Sequence, residues 1–377
     1  MRKFLGKIGL FMLLLLLNGC SQAATPPKPS ALELRQQKIQ DLVAKMTVEE
    51  KVGQMMIVGI PGPTADTTAL DMIRKYHVGG IIHFDRNLES PEQVEKLNVT
   101  LQSQAAAENM PIPLFICVDQ EGGNVARMRD YLPVAPSAAA IGAQGNPQLA
   151  RDWAVKTAEG LRKAGFNTNF APVADLGFTN NRSYGTEAEQ VIPFDKAAIE
   201  AYAANDFMCS LKHFPGIGRA PVDPHMDTSE IAGSQEELLA TDMLPFRTVV
   251  EQEPNYDFMV MVSHLVYPAF EEVPASVSKV LLTDILRQKW GYKGIIITDD
   301  MAMGGLANVY PTEKMGILAV QAGVDILLSC DGNPDMTITI YNSVLEAVKA
   351  GTIPIEKINA SVERILTAKA QKNLLKL

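Results

Sequence analysis

Residues 294–300 have the sequence Gly-Ile-Ile-Ile-Thr-Asp-Asp, an apolar run that ends in two carboxylates. Similar short runs recur along the chain, with helical patterns between them. In order, the eight runs are Met55 to Val58, Gly80 to His83, Leu114 to Asp119, Asn167 to Pro172, Cys209 to His213, Phe258 to His264, Ile295 to Asp299 and Asp325 to Cys330. Nearly continuous apolar runs are typical of parallel strands buried on both faces. We predict an α/β fold, a single (β/α)8 barrel of the TIM type, with a doubly wound open sheet as the alternative.

Helical patterns support one domain over residues 31–377. A helix fits Leu32 to Lys45, and Thr47 with Glu50 forms a capping box that opens a second helix. The last helix carries an apolar stripe at helical spacing, formed by Ile355, Ile358, Val362, Ile365 and Leu366. From Ala31 onward no linker or low-complexity tract divides the chain.

Composition excludes several classes of protein. The chain has 377 residues, 47% of them apolar and 20% charged, so it can bury a large core and is neither disordered nor a coiled coil. Its net charge of -9 and the lack of a basic run argue against nucleic-acid binding. The four cysteines have no close paired spacing, which makes a disulfide framework or a zinc site improbable. We expect no metal and no cofactor.

The N-terminus has the pattern of a targeting segment. Residues 1–19 combine a basic start with the apolar run Ile8 to Leu17, which is too short to span a membrane stably. The run ends in Leu17-Asn18-Gly19-Cys20, which resembles the lipobox of bacterial lipoproteins, with an ordinary signal peptide as the alternative. Residues 20–30 are then a lipidated Cys20 and a Pro-rich tether. We expect an extracytoplasmic protein anchored to a bacterial membrane through lipid alone.

Ionisable residues end several of the predicted strands. Asp119, Lys212 with His213, His264 and Asp299 each lie at the C-terminal side of a different apolar run. In a (β/α)8 barrel the active site is built at that face, so these side chains are predicted to converge on one pocket. A single polar residue after a strand is usually a turn residue or a helix cap, but four such strand ends with ionisable groups would be an unusual accident.

Asp299 is the candidate nucleophile. Because side chains alternate along a strand, only one of Asp299 and Asp300 is expected to point into the barrel mouth, while the other caps the next helix. The functional interpretation makes Asp299 a carboxylate held ionised by nearby cations. The alternative makes both carboxylates caps.

The stretch from Lys212 to His225 (KHFPGIGRAPVDPH) leads from a strand into a loop rich in Gly and Pro. Asp223 and His225 lie two residues apart, so the carboxylate can accept the imidazole proton and fix its tautomer. Such a pair suits a general acid/base near neutral pH. A structural Asp-Pro turn with an exposed histidine is the alternative.

Taken together, these motifs resemble glycoside hydrolase family 3, in particular its β-N-acetylglucosaminidase (NagZ-like) branch. The resemblance runs from about Ala31 to the C-terminus. It rests on the segments Lys212 to Gly216 with Asp223-x-His225, Asp119-Gln120-Glu121-Gly122-Gly123, Ile297-Thr298-Asp299-Asp300-Met301, Asn169 to Asp175, Arg182-Ser183-Tyr184-Gly185 and Pro274 to Ser278.

The resemblance implies a retaining exo-hydrolase that removes terminal, non-reducing β-linked N-acetylglucosamine. It implies Asp299 as the nucleophile and His225, assisted by Asp223, as the acid/base, in place of the second carboxylate of the usual scheme. The positions that match sugar-binding residues are Asp119, Arg127, Arg182, Lys212 and His213. Carboxylate acceptors beside Arg and Lys donors suit a vicinal diol. His264 is expected to support the shape of the site.

Three residues depart from the family pattern, namely Ile217, Arg219 and Pro224. They are expected to alter the stiffness of the loop and the aglycone preference rather than the reaction class. With its predicted location, the enzyme would meet peptidoglycan fragments that end in N-acetylglucosaminyl-N-acetylmuramic acid. Arg219 would then favour a carboxylate of such a substrate. A phosphorylase or another β-glycosidase on the same scaffold is the close alternative, and a solute-binding lipoprotein is the alternative from a different class.

Overall fold

The computed structural model describes residues 30–177, 181–220, 229–253 and 255–377. Within them, eight parallel strands close a barrel in the order β1-β2-β3-β4-β5-β6-β9-β10, and β10 pairs with β1. The barrel strands are β1 (Met56–Gly59), β2 (Gly80–His83), β3 (Phe115–Val118), β4 (Thr168–Asn169), β5 (Met208–Phe214), β6 (Phe258–Val262), β9 (Ile296–Asp300) and β10 (Ile326–Ser329). A hairpin outside the barrel pairs β7 (Val266–Tyr267) with β8 (Glu271–Pro274). The predicted (β/α)8 barrel is confirmed, and the open sheet is excluded.

Helices surround the barrel and cross its lower end. They are α1 (Ala31–Lys45), α2 (Val48–Gln54), α3 (Thr67–Arg74), α4 (Pro91–Ala106), α5 (Ala138–Gly142), α6 (Gln148–Lys163), α7 (Ala188–Ala204), α8 (Gln235–Ala240), α9 (Leu244–Gln252), α10 (Gly304–Ala307), α11 (Thr312–Ala322), α12 (Pro334–Lys349) and α13 (Ile355–Gln371). Short 3₁₀ turns cover Asp85–Asn87 and Ala275–Val277, and a π-helix covers Val280–Lys289. No helix of the described residues is long and apolar enough to cross a membrane.

Local sequence signals explain where the first helices begin. Ser30 and Glu33 form a capping box at the start of α1, and Thr47 with Glu50 forms the predicted one at α2. In each box the hydroxyl accepts the N–H of the glutamate while the carboxylate accepts the N–H of the cap residue, which satisfies two otherwise unpaired donors. In α13, the predicted apolar stripe is buried from Ile358 to Leu366.

Two details differ from the prediction. The fourth strand is only Thr168–Asn169, shorter than the predicted Asn167 to Pro172, because Pro172 has no N–H for a strand ladder. The hairpin of β7 and β8 was not anticipated. It directly follows His264 and lies outside the parallel sheet, where a strand pair needs no apolar run of its own.

Helix α13 closes the lower end of the barrel, at the N-terminal ends of the strands. Arg364 forms an ion pair with Asp325, which directly precedes β10. Lys369 donates to the carbonyl of Gly79 before β2, and Lys372 pairs with Asp257 before β6. The helix therefore spans the bottom of the barrel, and α1 packs against it from below. The opposite end, where the strands terminate, stays open for a site.

Candidate active site

A pocket of about 500 Å³ opens at the C-terminal ends of the strands. Six strands, β2, β3, β5, β6, β9 and β10, contribute residues at or just beyond their C-terminal ends, as in other barrel active sites. The ionisable side chains of its lining are Arg86, Asp119, Glu121, Arg127, Arg182, Lys212, His213, Asp299, Asp300 and Asp331, with Cys330 beside them. The structure thus brings together Asp299 and all five predicted sugar-binding residues.

Lys212 and His213 line the pocket although they are neighbours in β5. In a regular strand, adjacent side chains point to opposite faces. The pairing of β5 with β6 shifts register between Leu211 and Phe214, and this irregularity allows both side chains to reach the pocket. Both residues are nearly inaccessible to solvent.

A buried ion cluster forms one wall. Glu121 accepts two hydrogen bonds from the Arg182 guanidinium, each 2.8 Å long, and lies 2.7 Å from the Lys212 ammonium. Burial alone would raise the pKa of Glu121, but Lys212 and Arg182 lower it to about 2. The same cluster raises the pKa of Arg182. All three groups are therefore charged at neutral pH.

A tight turn places Glu121 in this cluster. The N–H groups of Glu121 and Gly122 both donate to the Val125 carbonyl, at 2.9 and 3.0 Å. Gly122 has φ of 101°, and a Cβ there would lie 2.7 Å from the Pro136 carbonyl oxygen. Only glycine fits that conformation and that space.

Asp119 and Arg127 face the pocket from the same connection. The Lys212 ammonium lies 2.7 Å from Asp119 Oδ1, so this lysine bridges two carboxylates. Burial opposes the charge on Lys212, but Asp119 and Glu121 raise its pKa above the ordinary value. Arg127 pairs at 3.0 Å with the exposed Asp85, which follows β2.

His213 is oriented by Asp175. The Nδ1 atom of His213 lies 2.7 Å from Asp175 Oδ2, while the backbone N–H of Ile217 donates to Asp175 Oδ1 at 2.9 Å. The carboxylate fixes the ring and the start of the following loop together. The other ring nitrogen, Nε2, faces Arg182 at 3.5 Å.

Asp299 and Asp300 differ in environment. Burial would raise the pKa of Asp299, but the nearby His213 and His264, the Asp300 N–H and Lys212 hold it below the ordinary value. The Asp300 carboxylate instead accepts the N–H groups of Cys330 and Ala302, and burial raises its pKa. Asp299 is therefore the more acidic of the two carboxylates, and Asp300 binds backbone, as a cap does.

His264 lies behind the nucleophile candidate. Its Nδ1 atom lies 2.7 Å from the Ser276 hydroxyl, and its Nε2 atom lies 3.1 Å from the Asp300 carbonyl oxygen. Burial lowers its pKa below the ordinary value, although Asp299 opposes this shift. It joins the end of β6 to the end of β9 and supports the shape of the site.

Several predictions fall outside the described residues, namely Asp223, His225, Pro224 and the lipidation residue Cys20. Arg219 is described and is already paired within the chain. Its guanidinium contacts Glu237 at 2.5 Å and the buried Asp242 at 2.8 Å. Two carboxylates thus already satisfy the charge that was expected to favour a substrate carboxylate.

Sequence reasoning overlooked two residues of the site, Glu121 and Asp175. Glu121 lies two residues after Asp119, beyond the same strand, and Asp175 ends the segment after β4. The position of each carboxylate a few residues after a predicted strand was the sequence signal that could have identified both as site residues. Their partners, however, are 61 and 38 residues away in the chain, so no local pattern reveals the contacts.

A closed parallel barrel with a charged pocket at the C-terminal ends of its strands defines the chain as a barrel enzyme. Residues 47–368 match the family model described as the glycosyl hydrolase family 3 N-terminal domain. The chain therefore belongs to glycosyl hydrolase family 3 and is a glycoside hydrolase.

Relatives and solved structures agree with this family. A β-hexosaminidase from Stenotrophomonas maltophilia is 32% identical over 286 residues, which cover 73% of this chain and 83% of that enzyme. The structure of a family 3 β-N-acetylglucosaminidase from Paenibacillus superposes with a TM-score of 0.83 at 34% identity, covering 88% of this chain and 65% of that one. The M. tuberculosis protein LpqI superposes with a TM-score of 0.78 at 29% identity, covering 88% and 96%.

Proposed function

We propose that this glycoside hydrolase is a retaining, exo-acting β-N-acetylglucosaminidase, a β-N-acetylhexosaminidase that releases terminal, non-reducing N-acetylglucosamine. The observation that carries the proposal is the lowered pKa of Asp299 at the pocket. Its neighbour Asp300 has a raised pKa and accepts hydrogen bonds from backbone N–H groups instead. A carboxylate with a lowered pKa is suited to attack an anomeric carbon. The names of the Stenotrophomonas and Paenibacillus relatives support the sugar specificity.

In the proposed reaction, Asp299 forms a bond to the anomeric carbon while the glycosidic bond breaks. His225 gives its proton to the leaving oxygen, and Asp223 stabilises the imidazolium. In the second step His225 takes a proton from water, the water oxygen bonds to the anomeric carbon and the Asp299 carboxylate leaves. Because each step inverts that carbon, the product keeps the configuration of the substrate.

The ion cluster supplies hydrogen bonds for the terminal sugar. Asp119 is an acceptor, whereas Lys212, Arg127 and Arg182 are donors in fixed directions. The side chains hold each other in place, so little conformational entropy is lost when a sugar binds. Of these donors, Lys212 also lowers the pKa of Asp299 and so favours its anionic form before attack.

A slow 2-fluoro sugar substrate tests the nucleophile. The label is expected on the peptide that contains Asp299, because retaining catalysis passes through a glycosyl-enzyme. Tandem mass spectrometry separates Asp299 from Asp300, and Asp300→Asn should still be labelled. Label on Asp300 or Asp119, or a product of inverted configuration by proton NMR, would refute the proposal.

A comparison of substrates tests the sugar specificity. A chromogenic β-N-acetylglucosaminide should be cleaved much faster than the matching β-glucoside. Phosphate buffer then separates a hydrolase from a phosphorylase, since a neutral histidine acid/base would repel phosphate less than a carboxylate would. Free sugar in phosphate buffer supports hydrolysis, and a sugar phosphate would assign the phosphorylase instead.

For the natural substrate we propose peptidoglycan fragments that carry terminal N-acetylglucosamine on N-acetylmuramic acid. The support is the lipobox-like segment that ends at Cys20, which would place the enzyme outside the cytoplasmic membrane, anchored by lipid and close to the cell wall. Purified fragments of this kind should compete with the chromogenic substrate. A lack of competition would leave the reaction class intact and refute this substrate.

A further inference from the structure

Two grooves flank α1 at the end of the barrel opposite to the active site. The larger, of about 670 Å³, is lined in part by Met208, Phe258 and Ile295, which lie at or just before the first residues of β5, β6 and β9. The smaller, of about 450 Å³, lies between α1 and the C-terminal residues. Both therefore open at the N-terminal ends of the strands, and the active site lies at the C-terminal ends.

The surface around these grooves combines leucines and cations. Six large apolar side chains of the described chain are clearly exposed, and three of them lie here: Leu32 (72% exposed), Leu34 (49%) and Leu377 (39%). Beside them lie the exposed cations Arg35, Lys38 and Lys376. We call these six residues the basal surface. Exposure of these three leucine side chains to water is unfavourable in free energy, and a binding partner that buried them would remove this penalty.

The charge of the basal surface is opposite to that of the whole chain, which carries -9. Lys293 also lines the larger groove, together with Arg364, which is paired with Asp325, and the acidic residue Glu363. Glu33 is engaged by the Ser30 cap. Within the described chain, Arg35, Lys38 and Lys376 form no ion pair. Cations therefore dominate a surface that protein packing leaves open.

The spacing of α1 explains why this face is not used for packing. One side of α1 lines the smaller groove through Ala31, Leu34, Arg35 and Lys38. Leu34 and Arg35 lie three and four residues after Ala31, and Lys38 lies four and three residues after them, which is the spacing of neighbours on one side of a helix. The buried residues of α1 are Ile39 and Val43, which belong to another side. The helix thus packs with one face and presents leucine and cationic side chains on another.

We propose that the basal surface binds an anionic lipid bilayer, with the leucines in the headgroup region and the cations on lipid phosphates. This proposal rests on the lipid anchor in the proposed function. Ser30 caps α1 next to the grooves, so Cys20 lies only ten residues away, a reach of at most about 35 Å. An anchor of that length brings the basal surface to the membrane and directs the active site away from it.

Contact at this surface would also orient the enzyme. An anchor at Cys20 alone attaches the protein at a single point and does not fix the direction in which the pocket faces. With α1 and the C-terminus on the bilayer, the mouth of the barrel faces the space that holds cell-wall glycans. The basal surface is too sparse to hold the protein alone at physiological salt, and the anchor raises its effective concentration at the lipid.

Flotation with vesicles tests the proposal without the anchor. The chain beginning at Ser21 keeps every described residue, including the closed barrel, so we expect it to fold without the leader, which circular dichroism and hydrolysis of a chromogenic substrate check. At low ionic strength it should float with phosphatidylcholine vesicles that contain phosphatidylglycerol at least about tenfold better than with phosphatidylcholine alone, since each cation near an anionic surface contributes about a five-fold gain. Equal binding to both lipids would overturn the proposal.

Two matched double variants locate the contact. Leu34→Ser/Lys38→Gln removes one leucine and one cation from the basal surface and should weaken binding to anionic vesicles about tenfold or more. Val309→Ser/Lys314→Gln removes an exposed valine and a lysine near the start of α11, at the active-site end, and should change binding less than two-fold. Equal losses in both variants would show that the surface is not specific.

Two further readouts separate the outcomes. Hydrolysis of a chromogenic substrate should be unchanged in both double variants, which confirms the fold and is independent of lipid binding. A concentration-dependent dimer that Leu34→Ser/Lys38→Gln dissolves, without vesicle binding, would assign the surface to a second copy of the chain and overturn the proposal. Because the tested chain lacks Cys20, a failure of the lipid anchor in cells and a failure of this surface are distinguishable.

Discussion

At the scale of single residues, two adjacent carboxylates acquire different properties from their surroundings. Asp299 faces His213 and Lys212, which lower its pKa, whereas Asp300 is buried against backbone N–H groups and has a raised pKa. Burial acts on both in the same direction. The groups next to each carboxylate therefore give Asp299 the lower pKa of the two.

The proposed acid/base residue makes a sharp kinetic prediction. His225→Ala should slow cleavage of alkyl or sugar leaving groups by roughly 10² to 10⁴, the usual contribution of a positioned acid/base. An activated nitrophenyl group departs without a proton, so its first step should survive and appear as a burst. Azide, which needs no deprotonation, should restore turnover by forming a glycosyl azide.

Asp223→Asn tests the second residue of the proposed acid/base pair. It should show the same pattern more mildly, because the imidazole remains but loses the partner that orients it and stabilises its charge. If His225→Ala impairs natural and activated substrates equally, and azide has no effect, the histidine only shapes the loop.

Glu121→Gln tests the buried ion cluster through stability. Lys212 and Arg182 lower the pKa of Glu121 to about 2, against an ordinary value of 4.5. A depressed folded-state pKa gives stability that is fully present above pH 4.5 and is lost as the pH falls toward 2. The variant should therefore lose about 3 kcal/mol at pH 7, and less at pH 3. Denaturant unfolding at both pH values measures this.

The exposed Glu95→Gln, on α4, is the control and should change stability by less than about 0.5 kcal/mol. A loss in Glu121→Gln that stays constant between pH 7 and pH 3 would mean that packing, and not the charge of Glu121, holds the cluster together.

At the scale of elements, α13 has a role beyond that of an outer helix. Its Lys369 is fully buried under the barrel, where the ammonium donates to Gln54 Oε1 at 2.8 Å and to the Gly79 carbonyl at 2.9 Å. Burial lowers the pKa of Lys369 to about 7. Through Lys369, α13 is therefore connected to the end of α2 and to the start of β2. A buried ammonium of this kind is costly to keep charged.

The buried lysine predicts how stability depends on pH. Between pH 7 and pH 10.5 the unfolded chain binds this proton and the folded chain does not, so the free energy of unfolding should rise with pH by up to about 1.4 kcal/mol per unit. Below pH 7 this contribution is constant. In Lys369→Met the rise should be smaller by that amount, as measured by denaturant unfolding between pH 7 and 9.5.

Lys376→Met serves as the control for that measurement, because Lys376 is an exposed lysine a few residues beyond the end of α13. It should leave the slope unchanged. If the free energy of unfolding rises equally with pH in the wild type and in Lys369→Met, the pKa of Lys369 does not differ between the folded and unfolded chains in this pH range, and the prediction is wrong.

At the scale of the whole molecule, the barrel separates two surfaces. The reactive pocket lies at the C-terminal ends of the strands, and α1, where the described chain begins, lies with α13 below the N-terminal ends. An attachment at the N-terminus therefore leaves the pocket unobstructed. Catalysis and localisation are expected to be separable by mutation.

Cys20→Ala tests this separation. The variant should remain folded and active, because the barrel begins beyond the tether, but it should no longer be recovered with membranes washed at high salt. Mass spectrometry of the N-terminal fragment distinguishes lipid attachment from retention of an unprocessed leader. An unlipidated N-terminal fragment from the wild type would end the lipoprotein proposal.

The sequence by itself determined the barrel and much of the pocket. Apolar runs mark buried parallel strands, and all eight runs became barrel strands because burial on both faces favours apolar residues at most of those positions. Asp119, Lys212, His213 and Asp299 could be predicted as pocket residues because the ends of parallel strands meet at one face.

Only the tertiary structure decided which charges meet. Glu121 reaches Arg182 across 61 positions, and His213 reaches Asp175 across 38, so neither pair leaves a local pattern. The irregular register of β5, which turns Lys212 and His213 toward the same pocket, is likewise invisible in a strand pattern of period two. Strand formation follows from short-range burial, but a pKa depends on distances between groups that folding alone brings together.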